Sequence, residues 1–555
     1  MSSKVKVAVA QLNCTVGDFE GNSRKIIEAA SRAAAAGADL LLTPELSLTG
    51  YPPEDLLLRR AFYAASDAAL QMLTTQLLQF PDLTVIVGHP LAREGNRFNA
   101  ASLLQGGVVL GTYCKHDLPN YDVFDEQRYF TPDNRPLVFE VNGTAFGVNI
   151  CEDTWFSYAP ECAKAAGAAV LLVLNGSPFN LGKQQQRLDT LRANVTRYRM
   201  PVVYANIVGG QDELVFDGGS FVLDRDGKLI ARAPYFEESV LLVDFIDGAP
   251  QPSAVQPEPS EEALAYSALV LGVRDYLGKN DFPGAIIGLS GGVDSALTLA
   301  IAVDALGAER VRAVMMPSQF TSAMSLEDAH AMAHAMKVRY DVLPIKPAFD
   351  AYLSTLAREF RGLPWDATEE NLQARIRGTL LMALSNKYGS IVLTTGNKSE
   401  TAVGYSTLYG DLAGGFAVIK DILKTLVYRL CRYRNSIAPV IPERILSRAP
   451  SAELKADQTD QDSLPPYEVL DEIIDLYMQR GQSIAEIVAA DHDEATVRKV
   501  VRMIRLSEYK RRQSPIGIRV THRGFGRDWR YPITNRFREE SVTLSNRRKA
   551  TGKAA

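Results

Sequence analysis

The apolar residues of the first half of the chain fall into short runs separated by longer amphipathic stretches. The runs are VKVAVAQL, ADLLLTPE, LTVIVGHP, TAFGVNIC, AAVLLVLNGS and PVVYANIVG. Most are rich in Val and Ile and have no polar face, a pattern typical of strands buried between layers of helices. NSRKIIEAASRAAAAG predicts a helix that ends at Gly37, and GGSFVLDRDGKLIARA predicts an antiparallel hairpin around Asp226-Gly227. The order of these elements predicts an α/β layered sandwich.

The second half begins with a predicted helix, EEALAYSALVLGVRDYLGKN. A strand, GAIIGLS, a glycine turn and a second helix, DSALTLAIAVDALG, come next, and the strands RVRAVMMP and SIVLTTGN follow. Strand–helix–strand order predicts a doubly wound parallel sheet. The region from Tyr467 to Ser507 is predicted to be helical.

A proline-rich segment separates the two halves. DGAPQPSAVQPEPSEE, Asp247 to Glu262, has four prolines and no apolar periodicity, as expected of an extended linker. We predict one domain over residues 4–248, a linker over 249–262 and a second domain over 263–534. Residues 535–555 form a polar, basic tail that is predicted to be disordered.

Composition excludes several classes of protein. The 555 residues are 46% hydrophobic and 23% charged with a net charge of −5, which gives no bulk attraction to nucleic acid or to an anionic membrane. No uncharged apolar run reaches the ~20 residues of a transmembrane helix, and the N-terminus lacks the apolar core of a signal peptide. The five scattered cysteines argue against a disulfide framework or a zinc site. We therefore expect a cytoplasmic protein.

Three predicted strands of the first half each end beside a reactive side chain. These are Glu45 in LLTPELSLTGYPP, Lys115 in TYCKHDLPNYDVFDEQRYF and Cys151 in VNICEDTW. Each alone is weak, because a glutamate or lysine after a strand is commonly a solvated loop residue. The two acids after Cys151 should raise the pKa of its thiol, so the cysteine is either inert or activated from elsewhere in the chain.

Together, the three segments resemble the carbon–nitrogen hydrolase (nitrilase) superfamily, whose Glu-Lys-Cys triad has this order, over roughly residues 4 to 248. The resemblance implies a nitrilase-like four-layer α-β-β-α sandwich with Cys151 as nucleophile and Glu45 as general base. It assigns Lys115 to the tetrahedral intermediate, and the lysine cation should also favour the thiolate. Glu126 resembles the extra glutamate often found near such triads. Alternation along an extended chain predicts that Glu152 points away from the sulfur.

The glutamine-hydrolysing members of that superfamily suggest where a substrate would be held. The matching positions are Tyr121, Ser177 and Lys183. Ser177 could instead be a turn residue beside Gly176 and Pro178. The cysteines Cys14, Cys114 and Cys162 lack such a setting and are predicted to be packing residues.

The most specific motif is SGGVDS, between a predicted buried strand and a predicted helix. Its glycines allow backbone N–H groups to face an anion at a helix N-terminus. The motif resembles the pyrophosphate loop of the ATP pyrophosphatases, which implies a Rossmann-like fold and ATP contacts from Ser290, Gly291, Gly292, Val293, Asp294 and Ser295. In that family the aspartate also holds Mg²⁺, although Asp294 could be a plain helix cap.

Three further segments resemble the NAD synthetase family. They are EENLQARIRGTLLMALSN, TTGNKSETAVGYSTLYGDLAGGFAVIKDILKT and RAPSAELKADQTDQDSLPPYEVLD. The resemblance assigns ATP contacts to Thr395, Lys424 and Ser451, and contacts to deamido-NAD to Asn371, Arg375, Glu400 and Lys510, with Glu400 also a magnesium ligand. Asp411 is expected to shape the substrate pocket. The His330/His334 pair is predicted to lie on an exposed helix face, since no third metal ligand is evident nearby.

The two halves together predict a glutamine-hydrolysing carbon–nitrogen ligase. It would amidate deamido-NAD to NAD with ATP and glutamine, the last step of NAD biosynthesis, and release AMP and pyrophosphate. The resemblance implies Mg²⁺ and a homo-oligomer built on a synthetase-domain dimer. We expect no prosthetic group, small-molecule substrates only, and no nucleic-acid or membrane partner. Three alternatives stay open: a hydrolase whose second half is structural, an inactive nucleotide-binding protein, and an amidotransferase with a different acceptor.

Overall fold

The computed structural model describes residues 2–455 and 458–539. The chain forms two compact units, Met1–Asp281 and Phe282–Ala555. Most of the predicted tail, residues 540–555, lies outside the described residues. Within the described ranges, no helix is long and apolar enough to cross a membrane.

The first unit contains fifteen strands and five α-helices among its described residues. In chain order they are β1 (Lys4–Gln11), α1 (Phe19–Ala35), β2 (Leu40–Leu42), α2 (Arg60–Gln76), β3 (Thr84–Arg93), β4 (Asn96–Gln105), β5 (Val108–Cys114), β6 (Val138–Val141), β7 (Thr144–Ile150), α3 (Tyr158–Ala165), β8 (Val170–Asn175), α4 (Lys183–Tyr198), β9 (Val202–Asn206), β10 (Val208–Gln211), β11 (Leu214–Asp217), β12 (Phe221–Leu223), β13 (Leu229–Arg232), β14 (Ser239–Ile246), β15 (Ala249–Pro250) and α5 (Glu261–Lys279). A seven-stranded sheet has the order β15-β14-β1-β2-β3-β4-β5, and a six-stranded sheet has the order β13-β12-β9-β8-β7-β6.

The two sheets pack face to face, and helices cover their outer faces. Along β1, Val7 and Val9 belong to the core between the sheets, while Ala8 and Ala10 pack with α1 and α2. Strand β8 has the same pattern: one set of alternate residues packs in the core between the sheets, and the other set packs with α3 and α4. Period-two alternation with both faces buried explains why these strands have no polar side. The predicted four-layer sandwich is confirmed, as is the hairpin of β12 and β13.

The helix predicted to open the second domain, α5, packs in the first unit. It contacts β10 and β11, and Asp275 on its buried face accepts hydrogen bonds from Asn13 Nδ2 and Gly210 N, each at 2.7 Å. The predicted domain limits stay a prediction.

The second unit is built on a five-stranded sheet. Its elements are β16 (Ala285–Gly288), α6 (Val293–Leu306), β17 (Val311–Met315), α7 (Ala323–Ala335), β18 (Arg339–Val342), α8 (Lys346–Leu356), α9 (Ala367–Tyr388), β19 (Ile391–Thr394), α10 (Lys398–Val403), β20 (Phe416–Ala417), α11 (Lys424–Ile437), α12 (Glu443–Ser447), α13 (Tyr467–Ile474), α14 (Ile484–Ala489), α15 (Glu494–Leu506) and α16 (Glu508–Arg511). The order is β18-β17-β16-β19-β20 with every pair parallel, which confirms the doubly wound sheet. The chain changes direction between β16 and β19, where such sheets bind ligands at the carboxyl ends of their strands.

Candidate active sites

In the first unit, Glu45, Lys115 and Cys151 are all buried, with at most 3% of each residue exposed. Lys115 Nζ donates to Glu45 Oε1 at 2.7 Å and to both carboxylate oxygens of Glu126 at 2.9 Å. Burial lowers the pKa of the lysine, but the two glutamates more than offset this, and the net pKa is raised well above its ordinary value. Lys115 is therefore a fixed cation between two carboxylates.

Further donors hold the two glutamates in place. Glu45 accepts from Asn99 Nδ2 and from the backbone N–H of Gly176, each at 2.7 Å. Tyr51 donates its hydroxyl to Glu126 at 3.2 Å. Burial raises the pKa of Glu126 to about 7, although Lys115 opposes the rise. The Glu45 contacts connect the end of β2 to the loop after β8, where Ser177 lies.

Cys151 begins a 3₁₀ turn, Cys151–Thr154, and has a positive φ of 45°. The extended backbone predicted at this point is therefore wrong, and so is the alternation inferred for Glu152. The Glu152 carboxylate is buried and is among the groups that raise the pKa of the Cys151 thiol. Burial and Glu45 raise that pKa most, and Lys115 lowers it only in part, so the resting cysteine is a thiol that needs a base.

The three predicted glutamine contacts surround this turn. Tyr121, 47% exposed, donates its hydroxyl to Glu152 Oε1 at 2.8 Å. Lys183 has its Nζ 4.2 Å from the centre of the Trp155 ring. Burial raises the pKa of Glu152, and the charge of Lys183 is among those that oppose the rise. Ser177 is buried and follows the glycine bound to Glu45. All three thus lie by the carboxyl ends of β7 and β8, beside the triad.

Sequence reasoning missed Arg187, a fully buried arginine on α4. It donates to Ser177 Oγ at 3.0 Å, to Ser177 O at 2.8 Å and to both oxygens of Asp217. The serine oxygen thus accepts from Arg187, and the arginine fixes the position of Ser177. A charged residue in the polar segment KQQQRLDTLRAN gives no signal that it will be buried.

Three cysteines were predicted to be packing residues, and two histidines were predicted to lie on an exposed helix face. Cys14 and Cys114 are buried and Cys162 is half-buried, all as free thiols. His330 and His334 are exposed on α7, as predicted.

In the second unit, a cavity of about 520 Å³ lies at the carboxyl ends of β16 and β19. Its lining includes Ser290, Gly292, Val293, Asp294, Ser295, Asn371, Thr395, Glu400, Lys424, Ser451 and Lys510 among the predicted contacts. Ser290 Oγ and Ser295 Oγ are 3.0 Å apart, which closes the loop at the start of α6. The structure therefore gathers most of the predicted ATP and deamido-NAD residues around one space.

One cation and two carboxylates form the charged centre of this cavity. Lys424 Nζ bonds to Asp294 Oδ2 and to Glu400 Oε1, the latter at 3.1 Å. Burial raises the pKa of Glu400 to about 8, Lys424 opposes that rise and Asp294 adds to it. Asn397 Nδ2 donates to Asp294 Oδ1 at 2.9 Å. Asp294 lies in the first turn of α6, whose N-cap is Gly292, so the alternative of a plain helix cap is wrong.

The donor set is compatible with Mg²⁺. In the described part of the chain no three His, Cys, Asp or Glu side chains form a metal-binding group. Mg²⁺ is commonly bound by one or two carboxylates together with substrate phosphates, and Asp294 and Glu400 provide such a pair.

Some predicted residues lie elsewhere. Arg375 is exposed and donates to Leu408 O at 3.2 Å, and neither it nor Gly291 lines the cavity. Arg377, two positions along α9, does line it, and burial lowers the pKa of its guanidinium to about 10. Asp411 is among the lining residues and accepts from Thr407 N at 2.6 Å.

These folds and sites define a class of enzyme in which an amidase-type unit is joined to a nucleotide-activating unit. The carbon–nitrogen hydrolase family model matches residues 6–247, and the NAD synthase family model matches residues 265–514. Each match falls on one of the two predicted halves.

Comparison with known proteins then identifies the family. The chain is 48% identical to the glutamine-dependent NAD(+) synthetase of Acinetobacter baylyi over 540 residues, covering 96% of this chain and 99% of that protein. It is 46% identical to the Thermotoga maritima enzyme of the same name, with 97% and 99% covered. The structure of the Acinetobacter baumannii glutamine-dependent NAD⁺ synthetase in complex with ADP has a TM-score of 0.78, at 46% identity and 96% and 98% coverage. The chain belongs to the glutamine-dependent NAD(+) synthetase family.

Proposed function

We propose that the chain makes NAD from deamido-NAD, ATP and glutamine; the names of its relatives give them as glutamine-dependent NAD(+) synthetases. The observation that carries the proposal is that one chain holds both a buried Glu-Lys-Cys cluster and an Asp294-Glu400-Lys424 centre in a cavity after an SGGVDS loop. The first supplies ammonia from an amide, and the second activates a carboxylate to receive it.

In the first unit, Cys151 sulfur attacks the carboxamide carbon of glutamine while Glu45 takes the thiol proton. Lys115 stabilises the tetrahedral intermediate, and Glu45 returns the proton to the leaving ammonia, which leaves a γ-glutamyl thioester. Water then attacks the thioester, with Glu45 as base, and glutamate and the thiol are released. Tyr121, Ser177 and Lys183 are proposed to hold the substrate.

In the second unit, a carboxylate oxygen of deamido-NAD attacks the α-phosphate of ATP, and pyrophosphate leaves. Ammonia then attacks the carbonyl carbon of the adenylate and AMP leaves. The SGGVDS loop, Thr395, Lys424 and Ser451 are proposed to hold ATP, and Asn371, Glu400 and Lys510 to hold deamido-NAD. Mg²⁺ held by Asp294 and Glu400 would neutralise charge on the phosphates. Arg375 is retained as a deamido-NAD contact only if the nucleotide extends beyond the cavity.

Two further properties belong to this proposal. All five cysteines are free thiols, which fits work in the reducing cytoplasm. We also propose a homo-oligomer through the second unit, where Met382 and Tyr409 are 36% and 68% exposed; light scattering on the purified chain would test this.

The decisive experiment measures NAD formation with glutamine or with ammonium, in wild type and in Cys151→Ala. The variant should lose synthesis from glutamine and keep synthesis from ammonium. Cys162→Ala, which removes a thiol outside the site, is the matched control and should keep both. If wild type makes no NAD from either nitrogen source, the proposed function is wrong.

A further inference from the structure

Asp153, the second acid after Cys151, is 0% exposed and accepts four hydrogen bonds. Oδ1 accepts from the backbone N–H groups of His116 at 3.0 Å and Asp117 at 2.8 Å. Oδ2 accepts from the backbone N–H of Ile150 at 2.8 Å and from the Tyr113 hydroxyl at 2.7 Å. A buried carboxylate is stable only with such partners, and here they are mostly main-chain groups.

The positions of these donors are informative. His116 N and Asp117 N belong to the two residues that follow Lys115, and Ile150 N belongs to the residue that precedes Cys151. One carboxylate therefore joins the segment carrying the lysine to the turn carrying the cysteine. The segment is fixed on its other side as well, since Lys115 N donates to Asn99 O at 2.8 Å.

The backbone of Cys151 needs such support. Its φ of 45° lies in the left-handed region, which is costly for a residue with a Cβ and persists only where the surroundings hold it. The bond from Ile150 N to Asp153 spans this residue and closes the turn around it.

We propose that Asp153 is a positioning residue for glutamine hydrolysis, which fixes the Lys115 segment against the Cys151 turn so that the ammonium group and the sulfur meet the same carbonyl. The inference rests on the proposed role of Cys151. Asp153 does not act on the thiol directly; it sets the positions of Lys115 and Cys151. A misplacement of about 1 Å in such a site can lower the rate on the order of 100-fold.

The test replaces Asp153 by asparagine in the full chain. The amide nitrogen donates rather than accepts, so one pair of donors loses its acceptor while the size of the side chain is kept. We expect the glutamine-driven kcat to fall about 100-fold while the KM for glutamine changes less than about threefold. Alkylation of Cys151 by iodoacetamide should slow over the whole pH range, and ammonium-driven synthesis should be retained.

Two control variants separate positioning from general stability. Tyr113→Phe removes the side-chain donor but leaves the three backbone donors, and should lower kcat less than about tenfold. Asp39→Asn disturbs a carboxylate outside the triad, which accepts a hydrogen bond from Lys6 N at 2.7 Å. This variant should leave glutamine use unchanged. If Asp153→Asn folds poorly, Asp153→Glu keeps the charge but moves it by one methylene and should show the same fall in kcat.

The inference is overturned if Asp153→Asn alkylates like wild type, or if its glutamine-driven rate falls only as much as its ammonium-driven rate. It is also overturned if Tyr113→Phe loses as much kcat as Asp153→Asn. Wild type that cannot use glutamine would instead contradict the proposed function, while the alkylation rates would still report on Asp153.

Discussion

Replacing Lys115 by methionine tests the reading of the triad as a buried charge cluster. The lysine side chain is 0% exposed, and its partners Glu45 and Glu126 are 0% and 8% exposed. Removing one member of a buried ion pair leaves an uncompensated charge and typically costs about 3–5 kcal/mol of the free energy of unfolding. Glu45 keeps its bonds from Asn99 and Gly176, so Glu126 is the carboxyl expected to take up a proton.

The loss of stability caused by Lys115→Met should depend on pH in a defined direction. The pKa of Glu126 is already raised to about 7 by burial, and Lys115 holds it down, so it rises further in the variant. A carboxyl whose pKa is higher in the folded than in the unfolded state loses stability as pH rises through that interval. In wild type this loss of stability is complete near pH 7, because Glu126 is then ionised. In Lys115→Met the loss continues to higher pH. The difference in the free energy of unfolding between variant and wild type should therefore grow above pH 7 by up to about 1.4 kcal/mol per pH unit.

Calorimetric unfolding of the full chain at pH 6.5, 7.5 and 8.5 measures this difference in stability. Each kcal/mol should shift the midpoint temperature of unfolding by about 2–4 °C. Lys25→Met is the control, because Lys25 pairs with Glu238 at the surface and should cost less than about 1 kcal/mol at every pH. A Lys115→Met deficit below about 1 kcal/mol at pH 8.5, or one that does not change with pH, would refute the reasoning.

Three other predictions concern the remaining charged groups. Arg187→Met should raise the KM for glutamine at least about tenfold, because Ser177 loses the bond that holds it, and should destabilise the first unit by about 3–5 kcal/mol, because Asp217 loses its ion-pair partner. Steady-state kinetics and thermal melting measure the two effects, and an unchanged KM contradicts the first. Lys424→Met should abolish pyrophosphate release with either nitrogen source yet keep glutamine hydrolysis; loss of both would indicate misfolding instead. Mg²⁺ alone should bind more weakly as pH falls below about 8, because the proton on Glu400 competes with the metal; a calorimetric titration from pH 8.5 to 6.5 that shows constant affinity excludes Glu400 as a ligand.

Much of the fold follows from local pattern. Strands buried on both faces, such as β1 and β8, and the strand–turn–helix at SGGVDS are encoded by residues close in sequence, so periodicity alone identifies them. Glu45 and Cys151 each follow a strand that the apolar pattern predicts, whereas β5, which precedes Lys115, is not among the predicted runs.

What could not be predicted depends on tertiary context. The turn at Cys151 is held by Asp153, whose donors come partly from residues about 36 positions earlier, and no local propensity reveals this. Likewise, α5 resembles the start of the second domain in sequence but is buried against β10 by Asp275, a contact over 65 positions. Arg187 is polar in sequence and buried in space for the same reason.

The pairing of β1 with β14 bears on how the protein is made. Lys4 is opposite Ile246, so β1, which pairs with β2 on its other side, gains this second neighbour only after nearly the whole first unit exists. At about 5–20 residues per second, roughly 12–50 s pass between translation of the two strands, during which β1 lacks this partner. Long-range pairing of this kind is slow to form. A ribosome-bound chain should therefore be unable to hydrolyse glutamine until β14 has left the exit tunnel, and stalled chains ending before and after that point would show whether the cysteine becomes active in one step.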